Sequence, residues 1–163
     1  MAEMFLKLHE VDGESIDKTH HESIEIKDWG WTTTAEVKWQ WNQGGQATKV
    51  DVQGIKITKI CDKASVVLLK NLVTGKHIAW GKITCRKNDG EEKFEYCIIE
   101  MKDVMVQNVT FTGQGDNPVE ESVTLAFAEF SLNYNIQKDS GQIGGGKHFD
   151  FHIQKQKGHA SSS

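Results

Sequence analysis

The sequence predicts a mainly β fold: two packed antiparallel sheets forming a β-barrel, with one short flanking α-helix. Three observations carry this expectation. Apolar residues recur at every second position in many short segments, the period of a half-buried strand. Only one segment changes to helical spacing. A single Pro among 163 residues, set against that alternation, excludes a disordered chain.

The strands follow in order. Phe5-Leu6-Lys7-Leu8 opens the first. Ile24 and Ile26 alternate with charges, and Trp29 and Trp31 continue on odd positions. Val37, Trp39 and Trp41 alternate with Glu36, Lys38 and Gln40. Val50 with Val52, Ile55 with Ile57, Ile83 with Cys85, and Phe94 with Tyr96 and Ile98 repeat the pattern. So do Val104 with Val106, Val109 with Phe111, and Phe149, Phe151 and Ile153, which alternate with His148, Asp150 and His152.

Two strands change parity midway, at Lys27-Asp28 and at Ala128-Glu129, where Val123, Leu125 and Phe127 give way to Phe130, Leu132 and Tyr134. One extra residue moves the apolar face to the other side, so a β-bulge at each point would keep both halves on the core. Alternatively, each strand leaves one layer and joins another. Both readings give a curved sheet.

Asp62 is a helix N-cap, Leu68, Leu69, Leu72 and Val73 form one stripe, and Gly75 is the C-terminal stop. Lys76 follows beside the negative end of the helix dipole. The segments 42–47 and 138–146 are polar and Gly-rich and read as loops. Residues 1–154 are expected to form one domain, and 155–163, which lack apolar periodicity, a disordered tail.

Composition limits the function. A chain this long can bury roughly 70% of its extended surface, so it needs no metal or disulfide staple. Nineteen basic residues against 23 acidic give a net charge of -4, and they form no basic run. Nucleic acid and anionic membrane are therefore not expected partners. The N-terminus lacks a basic region followed by an apolar stretch, and no run is long and apolar enough for membrane insertion as a helix. The physical default is cytoplasmic.

Three cysteines, Cys61, Cys85 and Cys97, show no metal spacing. Cys85 and Cys97 flank a hairpin turn at Asn88-Asp89-Gly90. With Asp89-Gly90 as a two-residue loop, Cys85 sits opposite Phe94 and Cys97 faces the other way, which excludes a bridge. A loop one residue longer restores a common face. The reading leans towards free thiols.

No catalytic, cofactor-binding or metal-binding residues are predicted. Gly141-Gln142-Ile143-Gly144-Gly145-Gly146-Lys147 fits part of a phosphate loop, but His148 stands where Ser or Thr should hold magnesium, and a strand pattern follows where a helix is required. His20-His21-Glu22 with His9, and His148 with His152, do not converge at ligand spacing and read as polar surface. No Ser or Cys lies in a Gly-flanked elbow. Trp29, Trp31, Trp39 and Trp41 fit a core or subunit interface, or the platform of a monomeric carbohydrate-binding module. Gly30 between two of them suggests a close backbone approach or a bulge.

The segment 4–31, with its first strand, Gly13-Glu14-Ser15, an Asp-rich turn and Trp29-Gly30-Trp31, resembles the start of the Hcp (haemolysin co-regulated protein) family of type VI secretion. Val50-Asp51-Val52, Ile57-Thr58-Lys59, Asp62-Lys63-Ala64-Ser65, Gly75-Lys76 and Val123-Thr124-Leu125-Ala126-Phe127 continue the resemblance in the family's order. It implies a non-enzymatic, secreted subunit of an inner tube built of stacked homo-hexameric rings. Its implied partners are a VgrG-type spike protein, a contractile sheath and small effectors carried in the lumen. Export then needs no cleaved signal, and any cargo is a separate chain.

The resemblance places a stacking loop at Lys38, Gln40, Asn42, Gln43, Gly44, Gly45 and Gln46, and a lumen-facing position at Gly30. Relatives often carry Ser there, which puts a hydroxyl contact with cargo in doubt. Many relatives also carry Pro where Val66 stands, a change of small cost in a first helical turn. A phage-like tail-tube protein shares the architecture, but the Gly-Glu-Ser and Asp-Lys-Ala-Ser blocks favour the secretion branch.

Overall fold

The computed structural model describes residues 3–42, 44–89, 92–138 and 143–162. Eleven strands and one helix run in the order β1 (Glu3–Leu8), β2 (Ile24–Glu25), β3 (Asp28–Gly30), β4 (Thr33–Gln40), β5 (Gly44–Val52), β6 (Ile55–Ile60), α1 (Lys63–Thr74), β7 (Ile78–Asp89), β8 (Glu92–Thr112), β9 (Glu120–Gln137), β10 (Ile143–His152) and β11 (Lys157–Ser162). The fold is mainly β, in two antiparallel sheets. The larger has the path β11-β10-β9-β8-β7-β1-β2, with β6 on β9 and β3 on β6; the smaller is the hairpin β4-β5.

The long strands β8 and β9 pair from Cys97↔Tyr134 to Thr112↔Glu120 and form the spine. The first half of β9 takes β6 as its second neighbour and the second half takes β10. Its parity changes between Phe127 and Phe130, at the point of exchange. No extra residue is inserted there, because Lys102↔Glu129 and Val104↔Phe127 hold one register. Instead Asp103 sits in the left-handed region at φ 53° and β8 changes face with its partner, from Met101 to Val104. The expected bulge is replaced by a shared bend, and the exchange of neighbours is the reading that holds.

The break between β2 and β3 has the same origin. β2 pairs with β1, and β3 pairs with β6. Between them Ile26 N donates to Met4 O and Lys27 N donates to Thr58 O. Those two bonds span the gap without forming a ladder, so the large sheet curls round the core but does not close into the expected barrel.

Inside the curl lie Leu6, Leu8, Ile24, Ile55, Ile57, Leu68, Ile83, Ile99, Met101, Val104 and Leu125, all essentially without exposure. Trp31, Phe127 and Phe130 pack edge to face at one end, with Trp31 and Phe130 ring centroids 4.7 Å apart, close to the preferred geometry of aromatic pairs.

α1 packs against β8 and the core. Asp62 accepts from Ala64 N, Ser65 Oγ accepts from Asp62 N in a capping box, and Gly75 terminates the helix at φ 64°. Its buried stripe is Ala64, Ser65, Leu68 and Asn71. Leu69 and Val73, expected in the stripe, are exposed. Ser65 and Asn71 take the inner face in their place, and Ser65 Oγ is hydrogen-bonded there, which a purely apolar stripe overlooks.

Residues 157–162, expected as disordered tail, form edge strand β11, pairing from His152↔Lys157 to Lys147↔Ser162. An exposed edge made of Lys157, Gly158 and Ala160 carries no apolar alternation, yet one side of its backbone pairs with β10. The expected loop 138–146 is likewise shorter, because Gly144, Gly145 and Gly146 belong to β10.

Candidate functional site: surfaces for assembly

Large apolar groups are exposed at several places, Val66, Leu69 and Val73 of α1 among them, and two surfaces on the strands bring several together. The first is the hairpin β4-β5, where every residue of β4 is exposed. Trp39 is 79% and Trp41 100% exposed, with Val37 beside them. The hairpin has its own register, from Thr33↔Val52 to Gln40↔Gly44, with an irregularity between Glu36 and Val37. The Trp39 ring lies across Gly45, where an added Cβ would stand 2.9 Å from the outer ring carbons, so a larger residue there would displace the exposed indole. Of the predicted stacking residues, Lys38, Gln40, Asn42, Gly44 and Gly45 lie together here, all exposed. Gln43 and the side chain of Gln46 lie outside the described residues. The segment is two strands and a turn, so the loop 42–47 is shorter than expected.

The second surface is the outer part of the large sheet. Leu132, Tyr134 and Ile136 on β9 and Phe149 on β10 are each 37–48% exposed. Register places Phe149 beside Leu132 and Phe151 beside Phe130, so this strip continues the core aromatic cluster to the surface. The opposite face of the same strands is polar. His148 Nε2 lies 3.1 Å from Asp150 and His152 Nε2 lies 3.2 Å from Glu129. These two His residues, read above as polar surface, are held by carboxylates.

The remaining predicted positions are distributed differently. Gly30 lies in β3 opposite Lys56 and is exposed, with nothing within 4 Å of an added Cβ. Neither a close approach nor a bulge requires glycine there, contrary to expectation. The tryptophans divide: Trp29 and Trp31 pack against the core, whereas Trp39 and Trp41 do not. His20 stacks on Phe5 at 4.6 Å and meets Glu95 at 2.7 Å, and His9 tilts against Trp80. Among the described residues no three His, Cys, Asp or Glu side chains are placed to hold a metal, and no helix is long and apolar enough to cross a membrane.

Three clusters brace these surfaces. Lys59, fully buried, donates to Asp62 Oδ1 at 2.8 Å and to Ser65 Oγ at 2.9 Å, and meets Glu121 Oε2 at 2.9 Å. Ser65 also donates to Glu121. This network ties β6, α1 and β9 together. Parity would have revealed it, because Lys59 continues the inward row of Ile55 and Ile57. A second cluster clamps the N-terminal segment. Arg86, buried beneath Phe5, donates to Asp17 and, at 2.6 Å, to Glu3. The Arg86 hydrogen bonds hold the Asp17 carboxyl well below the usual range despite burial, and backbone donors at Thr19 and His20 add to this.

The third cluster corrects the cysteine reading. Asp89 pairs with Glu92, not Asn88 with Glu91, and a register shift between Cys85 and Arg86 brings Cys85 opposite Cys97. The bulge at Tyr96 restores the common face. Both thiols are free. The hydrogen bond with Cys97 lowers the Cys85 pKa to about 7 against its burial, with help from the Trp29 indole N–H at 3.3 Å. The same bond, then burial, push the Cys97 thiol up.

A curled antiparallel β fold with one helix, an outward aromatic hairpin and a half-exposed apolar strip on the large sheet defines the class: a mainly β protein with apolar groups left on its surface. The family model for type VI secretion system effector Hcp matches residues 5–134. The chain is 40% identical over 146 residues to protein hcp1 of Pseudomonas aeruginosa, covering 89% of this chain and 90% of that one. A solved type six secretion system protein superposes with a TM-score of 0.90 at 26% identity, covering 98% of this chain and 100% of that one. Hcp1 from Salmonella typhimurium superposes at 0.80 with 27% identity, covering 97% and 99%. The chain belongs to the Hcp family of type VI secretion.

Proposed function

We propose that this chain is the structural subunit of the type VI inner tube. It assembles into homo-hexameric rings that stack on one another, carries small effectors in the ring lumen and performs no catalysis. A VgrG-type spike caps the tube, a contractile sheath propels it, and the subunit leaves the cytoplasm without a cleaved signal.

The observation that carries the reading is the uncovered strip Leu132, Tyr134, Ile136 and Phe149, which continues the core aromatics beside the free edge of β11. An apolar strip joined to an open edge favours a further subunit, and contacts that repeat by rotation close into a ring. Hairpin β4-β5, with Lys38, Gln40, Asn42, Gly44 and Gly45, then reaches the next ring, and Gly30 faces the lumen.

Light scattering on a size-exclusion peak, with negative-stain images of the same fraction, tests this. The expected result is a hexamer mass and ring views. A compact monomer at micromolar concentration overturns it. The exposed Trp39 and Trp41 favour a second reading, a monomeric carbohydrate-binding module, whose mark would be quenching of tryptophan fluorescence by sugars.

A further inference from the structure

We propose that Cys85 and Cys97 form a peroxide-sensitive thiol pair that closes into a reversible disulfide across β7 and β8. The register makes them direct partners in an antiparallel ladder. Such partners have Cα atoms about 4.5–5.5 Å apart, inside the range a disulfide spans. Both sulfurs are free, Cys85 is buried, and Cys97 is half-buried at the surface side of the pair. The indole N–H of Trp29 donates to Cys85 Sγ at 3.3 Å, an arrangement that stabilises a thiolate there. The neighbouring Cys97 thiol supplies the second donor. Burial of Cys85 selects a small oxidant, and hydrogen peroxide meets that requirement where a bulky disulfide does not.

The chemistry balances in two steps. The Cys85 thiolate attacks one peroxide oxygen, the O–O bond breaks, and hydroxide leaves, giving a sulfenic acid. The Cys97 sulfur then attacks the Cys85 sulfur as its thiol proton is lost. The S–O bond breaks, and water leaves as the S–S bond forms. Two thiols are oxidised by two electrons, and one peroxide becomes two waters. A thiol reductant reverses the reaction by exchange. Cys61 is exposed, and its backbone N–H is bonded to Val119 O on another segment. It has no part in the pair.

The test uses the full chain carrying Cys61→Ser, treated with hydrogen peroxide and followed by intact mass and peptide mapping. The expected result is a loss of about 2 Da, a Cys85–Cys97 cross-linked peptide, and full reversal by dithiothreitol. In Cys97→Ser, Cys85 is expected to gain about 16 Da and to be trapped by a 1,3-diketone probe. With Cys85 titrating at about 7, its oxidation rate should rise about 10-fold from pH 6 to pH 8, against about 75-fold for an ordinary thiol of pKa about 8.5.

No mass loss in the Cys61→Ser chain overturns the proposal. So does stepwise oxygen addition to Cys97 without a cross-link. Equal oxidation of Cys97 in Cys85→Ser overturns the order of attack.

Discussion

Lys59→Met is the sharpest test of how the helix is fixed to the sheet. Lys59 and Glu121 are both without exposure, and Asp62 is mostly covered. At the observed 2.9 Å, the Lys59–Glu121 attraction is about 6 kcal/mol by Coulomb's law at an effective dielectric of about 20. Desolvation of both charges opposes it. Breaking such a buried pair from one side costs about 3–5 kcal/mol, because the remaining carboxylate is left uncompensated. Glu121 Oε1 already lacks a hydrogen-bond partner, so the carboxylate has little in reserve.

For a chain of this length, the loss corresponds to a fall in Tm of about 6–20 °C. The assay is denaturant unfolding followed by tryptophan fluorescence, at one fixed protein concentration so that assembly does not shift the comparison. The double variant Lys59→Met/Glu121→Leu removes both charges and should recover most of the loss, because an apolar replacement of a buried ion pair is often neutral. A single-variant loss under about 1 kcal/mol, or a double variant whose losses simply add, would refute the argument that charge compensation holds α1 in place.

Three further outcomes follow from the geometry. Asp17→Asn should destabilise by about 1.5–3 kcal/mol at neutral pH, the range for hydrogen bonds to charged groups. The folded Asp17 carboxyl is depressed below 3.8, so its contribution is present above that value and lost as pH falls below about 4 towards the folded pKa; the difference between variant and native unfolding curves should shrink in that window. Gly13→Ala should cost about 1–3 kcal/mol in thermal unfolding, since its Cβ would stand 2.5 Å from the backbone oxygen of Ser23. Trp41→Ala, at a fully exposed side chain, should change subunit stability by less than about 0.5 kcal/mol while shifting sedimentation from stacked assemblies towards single rings.

Period two located most strands because the chain buries one face of a single curled sheet. It failed where that premise fails. On Val37, Trp39 and Trp41 the same alternation buries neither face, since every residue of β4 is exposed. On β8 the bulge at Tyr96 moved the inward row from Tyr96 and Ile98 to Cys97, Ile99 and Met101. That slip hid the facing cysteines, since a bulge leaves no compositional mark. β11 was missed because an edge strand is held by its backbone. The exposed hairpin residues were legible only through the family resemblance. The Lys59 network was legible from parity alone, had a charged residue been allowed on an inward row.

The hairpin β4-β5 is a sheet of two strands apart from the main one. A ribbon of that kind is only marginally stable in water. If it is the joint between rings, the joint's final ordering and its docking occur together, and two bare indoles leave water in the same event. Burial of that kind lowers the heat capacity and weakens on cooling. A tube jointed this way is cold-labile: chilling should shorten it ring by ring while every subunit stays folded, and rewarming should lengthen it again.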